Sequence, residues 1–204
     1  PRTELTGQLD LTPLPAGGAP GWALQADLAN GAPGPWDQRH LPVQSLRADI
    51  TWQDEVATVR ALRAQVGGGQ IESTGRWSAA PGRWQLDTRI DNVNPAALHT
   101  QLAAFPLDGT AQASGHGGAI DFETRLQAQA QKRPAPARAN EPAAQALARD
   151  LQALRLRALQ ASGRWDAGLL TLNRLLISAD DAELAGSARI RPATPGGSAD
   201  LRLS

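Results

Sequence analysis

The sequence contains no cysteine, which excludes disulfide frameworks, zinc sites built on cysteine and thiol nucleophiles. No apolar run approaches the roughly 18–20 residues that a membrane-spanning helix needs. The formal net charge is zero and the pI is near 7.4, so the electrostatic basis for nucleic acid as the main ligand is missing.

Aromatic residues and methionine are also scarce. The 204 residues include no Met, no Tyr, two Phe and six Trp, and the apolar content is mostly Leu, Ala, Val and Ile. This composition favours long thin layers over a thick core. Because the chain starts at Pro1 and ends at Ser204 within a strand-like run, we expect it to be an internal fragment of a longer protein, with any targeting signal or anchor outside it.

Apolar residues recur at every second position in many segments, and the positions between them are largely Asp, Arg, Gln, Glu and Ser. This alternation predicts strands with one buried and one wet face, and it favours antiparallel sheets. We predict an all-β fold, an elongated curled antiparallel sheet of short strands whose apolar face forms an open groove. The predicted groove-lining residues are Trp22, Leu24, Leu28, Leu46, Ile50, Trp52, Leu62, Val66, Ile71, Trp77, Trp84, Leu86, Ile90, Ile120, Phe122, Leu126, Leu172, Leu175, Ile177, Leu184, Ile190, Leu201 and Leu203.

Clusters of Pro and Gly separate the alternating runs and predict hairpin turns, for example at Gly67–Gly69. The Pro/Ala-rich stretch 131–150 differs and predicts a linker with one short helix near 142–152. The predicted organisation is therefore a repeated groove segment over 1–130, this linker, and a continuation of the groove over 151–204.

Internal repeats are the strongest signal. A shift of 113 positions aligns the chain around 46–90 with its final segment without a gap, so that Leu46, Trp52 and Val59 meet Leu159, Trp165 and Leu172. A shift of 62 aligns Trp-x-Leu-x-x-x-Leu-x-Asn-x-x-Pro, beginning at Trp22, with a similar run beginning at Trp84. Leu5-x-Gly7 and Leu107-x-Gly109 form a weaker third pair. Repeats of this kind indicate a module of several strands whose copies stack into a continuous layer.

Catalytic and metal-binding patterns are not apparent. His40, His99 and His116 are far apart without further His or Cys ligands at metal-binding spacing, so loop or surface positions are the default. Gly67–Gly69 is followed by Gln70 and Ile71 in a strand-like run, whereas a phosphate loop requires a helix there.

Paired acidic residues, Asp54-Glu55 and Asp180-Asp181, occur at predicted turns, where solvated carboxylates are more common than a glycosidase pair. No Gly-x-Ser-x-Gly sequence is present. We predict that the chain is not an enzyme and uses no cofactor or metal. For Trp52, Trp77 and Trp84, two interpretations stay open: they pack in a core, or they line a surface for acyl chains or peptides.

The order of motifs resembles that of a known family. Along the chain the order is Trp-x-Leu, Leu-x-Asn-x-x-Pro, Leu41-Pro42-Val43, a strand ending in Trp52, Gly67-Gly68-Gly69-Gln70-Ile71, Gly75-Arg76-Trp77, Ile90-Asp91-Asn92-Val93-Asn94-Pro95 and Leu107-Asp108-Gly109. Over about 1–130 and 151–204 the chain resembles the repeat region of the TamB family, the translocation and assembly module subunit of proteobacteria, and the wider AsmA-like group.

This resemblance implies a periplasmic protein held in the inner membrane by a segment outside this chain, and a TamA-like outer-membrane barrel partner that another region meets. It implies a curled sheet of the β-taco type, with roles in phospholipid transfer between membranes and in outer-membrane biogenesis. Three functions stay open: a groove for phospholipid acyl chains, a groove that holds β-strands of outer-membrane protein clients for assembly and secretion, and a structural spacer.

Overall fold

The computed structural model describes residues 4–15, 19–80, 82–102, 104–129, 156–179, 182–191 and the backbone of 199–203. The described chain forms one sheet in which every strand pairs antiparallel with the next along the sequence. The strands are β1 (Leu5–Pro13), β2 (Gly21–Asn30), β3 (Val43–Gln53), β4 (Val56–Val66), β5 (Gly69–Ser78), β6 (Arg83–Val93), β7 (Leu107–His116), β8 (Ala119–Ala128), β9 (Leu156–Asp166), β10 (Leu169–Ala179), β11 (Glu183–Ile190) and β12 (Ala199–Leu203).

The predicted fold class is confirmed, since the chain forms a curled and unclosed antiparallel β-sheet. The linker and the helix predicted near 142–152 lie outside the described residues. The helical pieces that the structure does describe are two single 3₁₀ turns, at Trp36–Gln38 and Pro95–Ala97.

Four of the hairpins close with two-residue turns in which both residues have positive φ. Examples are Asp54-Glu55 (φ 51° and 61°) and Gly117-Gly118 (φ 58° and 90°). Such turns match the right-handed twist of the flanking strands. The turn predicted at Gly67–Gly69 is narrower in the structure, because Gly69 already belongs to β5 and continues its ladder.

Bulges preserve the apolar face where the alternation breaks. The register of β4 shifts between Val59 and Leu62, so both residues lie on the same side of the sheet. The register of β10 shifts in the same way between Leu172 and Leu175. These two positions are 113 residues apart, so the bulge recurs at the spacing of the sequence repeat.

The repeat therefore corresponds to a module of six strands. The shift of 113 superimposes β3, β4 and β5 on β9, β10 and β11 in sequence. The weaker pair falls at the same strand spacing, because Gly7 lies in β1 and Gly109 in β7. Both glycines have nearly the same backbone angle, with φ of 155° and 158°, and each sits opposite a leucine, Leu28 and Leu126.

The buried interior is thin. Among the described residues no large side chain is fully buried, and the buried apolar side chains are small: Val66, Val93, Ala119 and Ala188. A sheet whose apolar face were covered by a second layer would bury its Leu, Ile and Trp side chains. The described chain is thus a single layer whose larger apolar side chains remain partly accessible.

Candidate binding surface on the apolar face of the sheet

Strand register places all of the predicted groove-lining residues on one side of the sheet. Residues directly opposite each other in an antiparallel pair point to the same face, and the pairs can be followed strand by strand from Trp22. We call this side the apolar face. Leu201 and Leu203 are assigned to it by backbone register alone, opposite Ala188 and Gly186.

The apolar face is organised in rows that run across the strands. The row nearest the turns at 54–55 and 117–118 contains Trp22, Trp52, Ala57, Trp77, Trp84, Gly115, Ile120, Trp165, Leu170 and Ile190. The next row contains Leu11, Leu24, Ile50, Val59, Gly75, Leu86, Ala113, Phe122, Gly163, Leu172 and Ala188.

Five of the six tryptophans of the chain occupy the first of these rows, which we call the Trp row. Three of them are substantially exposed: Trp22 by 49%, Trp52 by 41% and Trp77 by 37%. An indole suits a boundary that is apolar on one side and wet on the other. The Trp row therefore forms an aromatic margin along the edge of the apolar face that carries the turns at 54–55 and 117–118.

Small residues are interspersed among large ones inside the rows and let large side chains lie flat. The ring of Trp84 covers Gly115 so closely that a Cβ there would overlap the indole. Phe122 Cζ would lie 3.0 Å from a Cβ at Gly163, and Leu86 Cδ1 would lie 3.1 Å from one at Gly75. The result is a shallow apolar floor in which side chains rest on neighbouring backbones.

The face extends to residues that were not among the predicted set. They include Leu9 and Leu11 of β1, which are 66% and 61% exposed, and Trp165 of β9. The alternation Leu9-x-Leu11 was the signal available for β1. Val59 lacks a simple signal, since a bulge interrupts the alternation of β4, whereas Leu170 alternates with the predicted Leu172.

The opposite face is polar and carries exposed ion pairs between adjacent strands. Arg47 Nε lies 3.0 Å from Asp27 Oδ2, and Arg63 Nε lies 3.0 Å from Glu72 Oε1. Exposed pairs of this type contribute about 0–1 kcal/mol each. Their main consequence is to keep this face hydrated while the other face remains apolar.

The two longer connections, 31–42 and 94–106, meet at the edge opposite the Trp row. The backbone N–H of Trp36 donates to Leu98 O at 3.0 Å, and the Trp36 and His99 rings pack edge to face at 6.5 Å. The backbone N–H of Thr100 donates to Asp37 Oδ1 at 3.2 Å, and its hydroxyl donates to Asp37 Oδ2. We call these five residues the loop clasp.

Hydrogen bonding from Thr100 lowers the pKa of Asp37 below its ordinary value of 3.8. The clasp spans strands β3 to β6, because one connection leads into β3 and the other leaves β6. It thereby ties together two points of the sheet edge that would be about 14 Å apart in a flat sheet.

Asparagine side chains start both connections. Asn30 Oδ1 accepts from the N–H of Ala32, and Asn94 Oδ1 accepts from the N–H of Ala96, each at 3.1 Å. The shift of 62 aligns Asn30 with Asn92 instead. In the second connection the hydrogen bond is accepted by Asn94, two residues after Asn92, because Asn92 has a positive φ of 54° beside a register shift of β6.

Groups that could support metal chemistry are not found in the parts of the chain that the structure describes, where no three His, Asp or Glu side chains come close enough to hold an ion. His40 and His99 lie in the two long connections, and His116 ends β7. Within the described ranges there is likewise no helix that is long and apolar enough to cross a membrane.

No known protein family, no curated protein and no solved structure matches the chain.

Proposed function

We propose that the apolar face binds phospholipid acyl chains and serves as one stretch of a path for lipid between the inner and outer membranes. The observation that carries this proposal is the largely apolar face from β1 to β11, on which large side chains stay partly exposed and the hydroxyls of Ser73 and Thr88 hydrogen-bond to each other. A large exposed apolar surface on a soluble chain marks an interaction site. The proposal includes a periplasmic location and a TamA-like partner that meets another region of the longer protein.

The apolar face is suited to a long acyl chain that slides along it. Each buried methylene of an acyl chain contributes about 0.8 kcal/mol. Because Leu, Ala, Ile and Val recur in row after row and the floor is shallow, neighbouring positions offer similar contacts. A ligand would therefore gain affinity from length without being trapped at one point.

The test compares one substitution on the two faces of the same strand. Ala26 lies on the apolar face opposite Ala48, whereas Ala29 lies on the polar face opposite Ser45. A carboxylate beneath an acyl chain loses its hydration, which is costly. We expect A26D to weaken binding of a fluorescent fatty acid at least tenfold, and A29D to leave it unchanged.

Lipid extraction of the purified chain followed by mass spectrometry provides the direct readout. Phospholipid should accompany the unmodified chain and A29D in similar amounts, and should be depleted from A26D. Purified chain without lipid, together with equal fatty-acid affinities for both variants, would contradict the proposal.

A second candidate, capture of client β-strands, is favoured by the geometry of β1. Within the described chain β1 pairs along one edge only, with β2, and its Leu9 and Leu11 side chains are the most exposed on the apolar face. An extended peptide could add to that edge by strand pairing. A photo-crosslinker at Thr12 should then capture an alternating strand peptide, whether or not A26D has removed lipid.

A further inference from the structure

A recess of about 390 Å³ lies on the polar face directly behind the Trp row. Its lining includes the basic side chains of Arg76 of β5, Arg83 of β6 and His116 of β7, together with Trp84. Ser78, Arg83 and His116 end or begin their strands, so the recess lies at the edge of the sheet. The two faces of the sheet therefore meet here, apolar on one side and basic on the other.

The basic groups of the recess lie on three adjacent strands. Arg83 stands directly opposite His116, and Arg76 lies diagonally across from Arg83 on the same face. The guanidinium groups of Arg76 and Arg83 carry like charges on adjacent strands and repel each other. Such a pair is stabilised when an anion sits between its members.

No carboxylate within the described ranges fills that role. Arg47, Arg60 and Arg63 of β3 and β4 each pair with an acidic side chain, whereas the guanidinium groups of Arg76 and Arg83 make no ion pair or side-chain hydrogen bond within the described ranges. Asp121 also lines the recess, but Arg164 holds it through contacts of 2.8 and 3.2 Å. The recess therefore has two uncompensated guanidinium groups and an imidazole.

We propose that this recess binds the phosphate of a phosphate ester, and that its source is the headgroup of a phospholipid whose acyl chains lie on the apolar face. The inference rests on the proposed function and adds a second contact to it. Guanidinium groups match phosphate oxygens with paired N–H donors. A recess of this volume holds about a dozen water-sized volumes, which leaves room for a phosphate with its first substituents.

The edge of the sheet is sterically open at this point. The turn Gly117-Gly118 follows His116, and neither glycine has an atom within 4 Å of where a Cβ would be. A glycerol backbone could cross the edge there, with the Trp84 indole on the acyl side and the arginines on the phosphate side. The headgroup and the acyl chains would then bind to opposite faces of the same strands.

The experiment measures binding of three soluble probes to the 204-residue chain by calorimetry. The probes are monomeric dihexanoyl phosphatidylglycerol, dihexanoylglycerol without phosphate, and glycerol 3-phosphate without acyl chains. The test variant is R76Q/R83Q. The control R89Q/R174Q removes the same charge from exposed polar-face positions that lie outside the recess.

We expect R76Q/R83Q to weaken phosphatidylglycerol binding about tenfold or more, because charge-assisted bonds to phosphate are the strong ones. Dihexanoylglycerol should bind both variants equally, and R89Q/R174Q should bind phosphatidylglycerol like the unmodified chain. Glycerol 3-phosphate should bind far more weakly than phosphatidylglycerol.

Three other results would each contradict a different part of the proposal. Equal phosphatidylglycerol binding by both double variants would overturn the recess while leaving the acyl surface intact. Glycerol 3-phosphate binding as tightly as phosphatidylglycerol would overturn the lipid source in favour of a soluble phosphate. Absence of binding by both acyl probes would overturn the proposed function itself.

Discussion

The indole rings of Trp52 and Trp77 pack with centroids 5.2 Å apart and planes tilted by 37°, although strand β4 runs between their strands. The residue between them in the Trp row is Ala57, which pairs with Trp52 on one side and Trp77 on the other. The small side chain lets the two rings meet above it. Ala57 is thus a small residue of the apolar face that makes room for the large side chains beside it.

A57L should separate the two rings and destabilise the chain. Inserting methylenes into a packed contact typically costs about 1–3 kcal/mol, so we expect a loss of that order in the free energy of unfolding measured in urea. A61L is the control, because Ala61 lies on the polar face of the same strand opposite Asp49. A near-ultraviolet circular dichroism signal from the ring pair should weaken in A57L alone.

The contact between Trp84 and Gly115 can be tested by a double-mutant cycle. G115A should displace the indole, because a Cβ at Gly115 would overlap it, and we expect a loss of about 1–2 kcal/mol. In a W84L background the same substitution should cost clearly less, since no ring covers the glycine. Additive losses in the cycle would show that the ring does not rest on Gly115.

The loop clasp should depend on pH through Asp37. The hydroxyl of Thr100 donates to the carboxylate and lowers its pKa in the folded chain below 3.8. The unfolded chain therefore takes up a proton at higher pH than the folded one, so the contribution of Asp37 is complete above about pH 4 and is lost as the pH falls through the lowered value.

Hydrogen exchange of the amides of Trp36 and Thr100 reports on this clasp. We expect D37N and T100V to reduce the protection factors of both amides near neutral pH, and to differ little from the unmodified chain at a pH below the lowered pKa. D54N, which removes a carboxylate at the opposite edge, should leave both amides unaffected. Unchanged protection in D37N would mean that the carboxylate does not hold the clasp.

The alternation of the sequence predicted the sheet and its apolar side well, for a physical reason. Side chains of a strand alternate strictly between faces, so Trp22, Leu24 and Leu28 share a face whatever their partners are. The repeat at 113 residues also carried structural information, because it brings Val59 and Leu172 to equivalent bulges. The binding of lipid to these residues stays a prediction.

The bulges, the loop clasp and the basic recess depend on which strands pair and in which register. The alternation of apolar residues along the sequence could not predict them. The bulges of β4 and β10 invert the phase of the alternation, and nothing local marks the extra residue. The loop clasp joins Asp37 to Thr100 across 63 positions. The basic recess likewise arises only when the register places Arg83 opposite His116. The helix predicted near 142–152 falls outside the described residues.

The six-strand module makes a last prediction about two distant glycines. Gly109 has a φ of 158°, in a region that is essentially confined to glycine, and a Cβ there would overlap the carbonyl oxygen of Arg125 on the next strand. Gly7 has a φ of 155°, and a Cβ there would overlap the carbonyl oxygen of Asp27. The strain and the overlap are thus the same in β1 and in β7.

We therefore expect G7A and G109A each to destabilise the chain by about 2 kcal/mol or more in urea unfolding, since backbone strain of this type costs about 1–3 kcal/mol and the overlap adds to it. The control is G31A, because a Cβ at Gly31 would approach only the flexible side chain and the backbone of Glu4, at 3.3 Å or more. G31A should change the free energy of unfolding by less than about 0.5 kcal/mol. If G109A were as mild as G31A, the glycine would not be required by the ladder, and the equivalence of β1 with β7 would lose its physical basis.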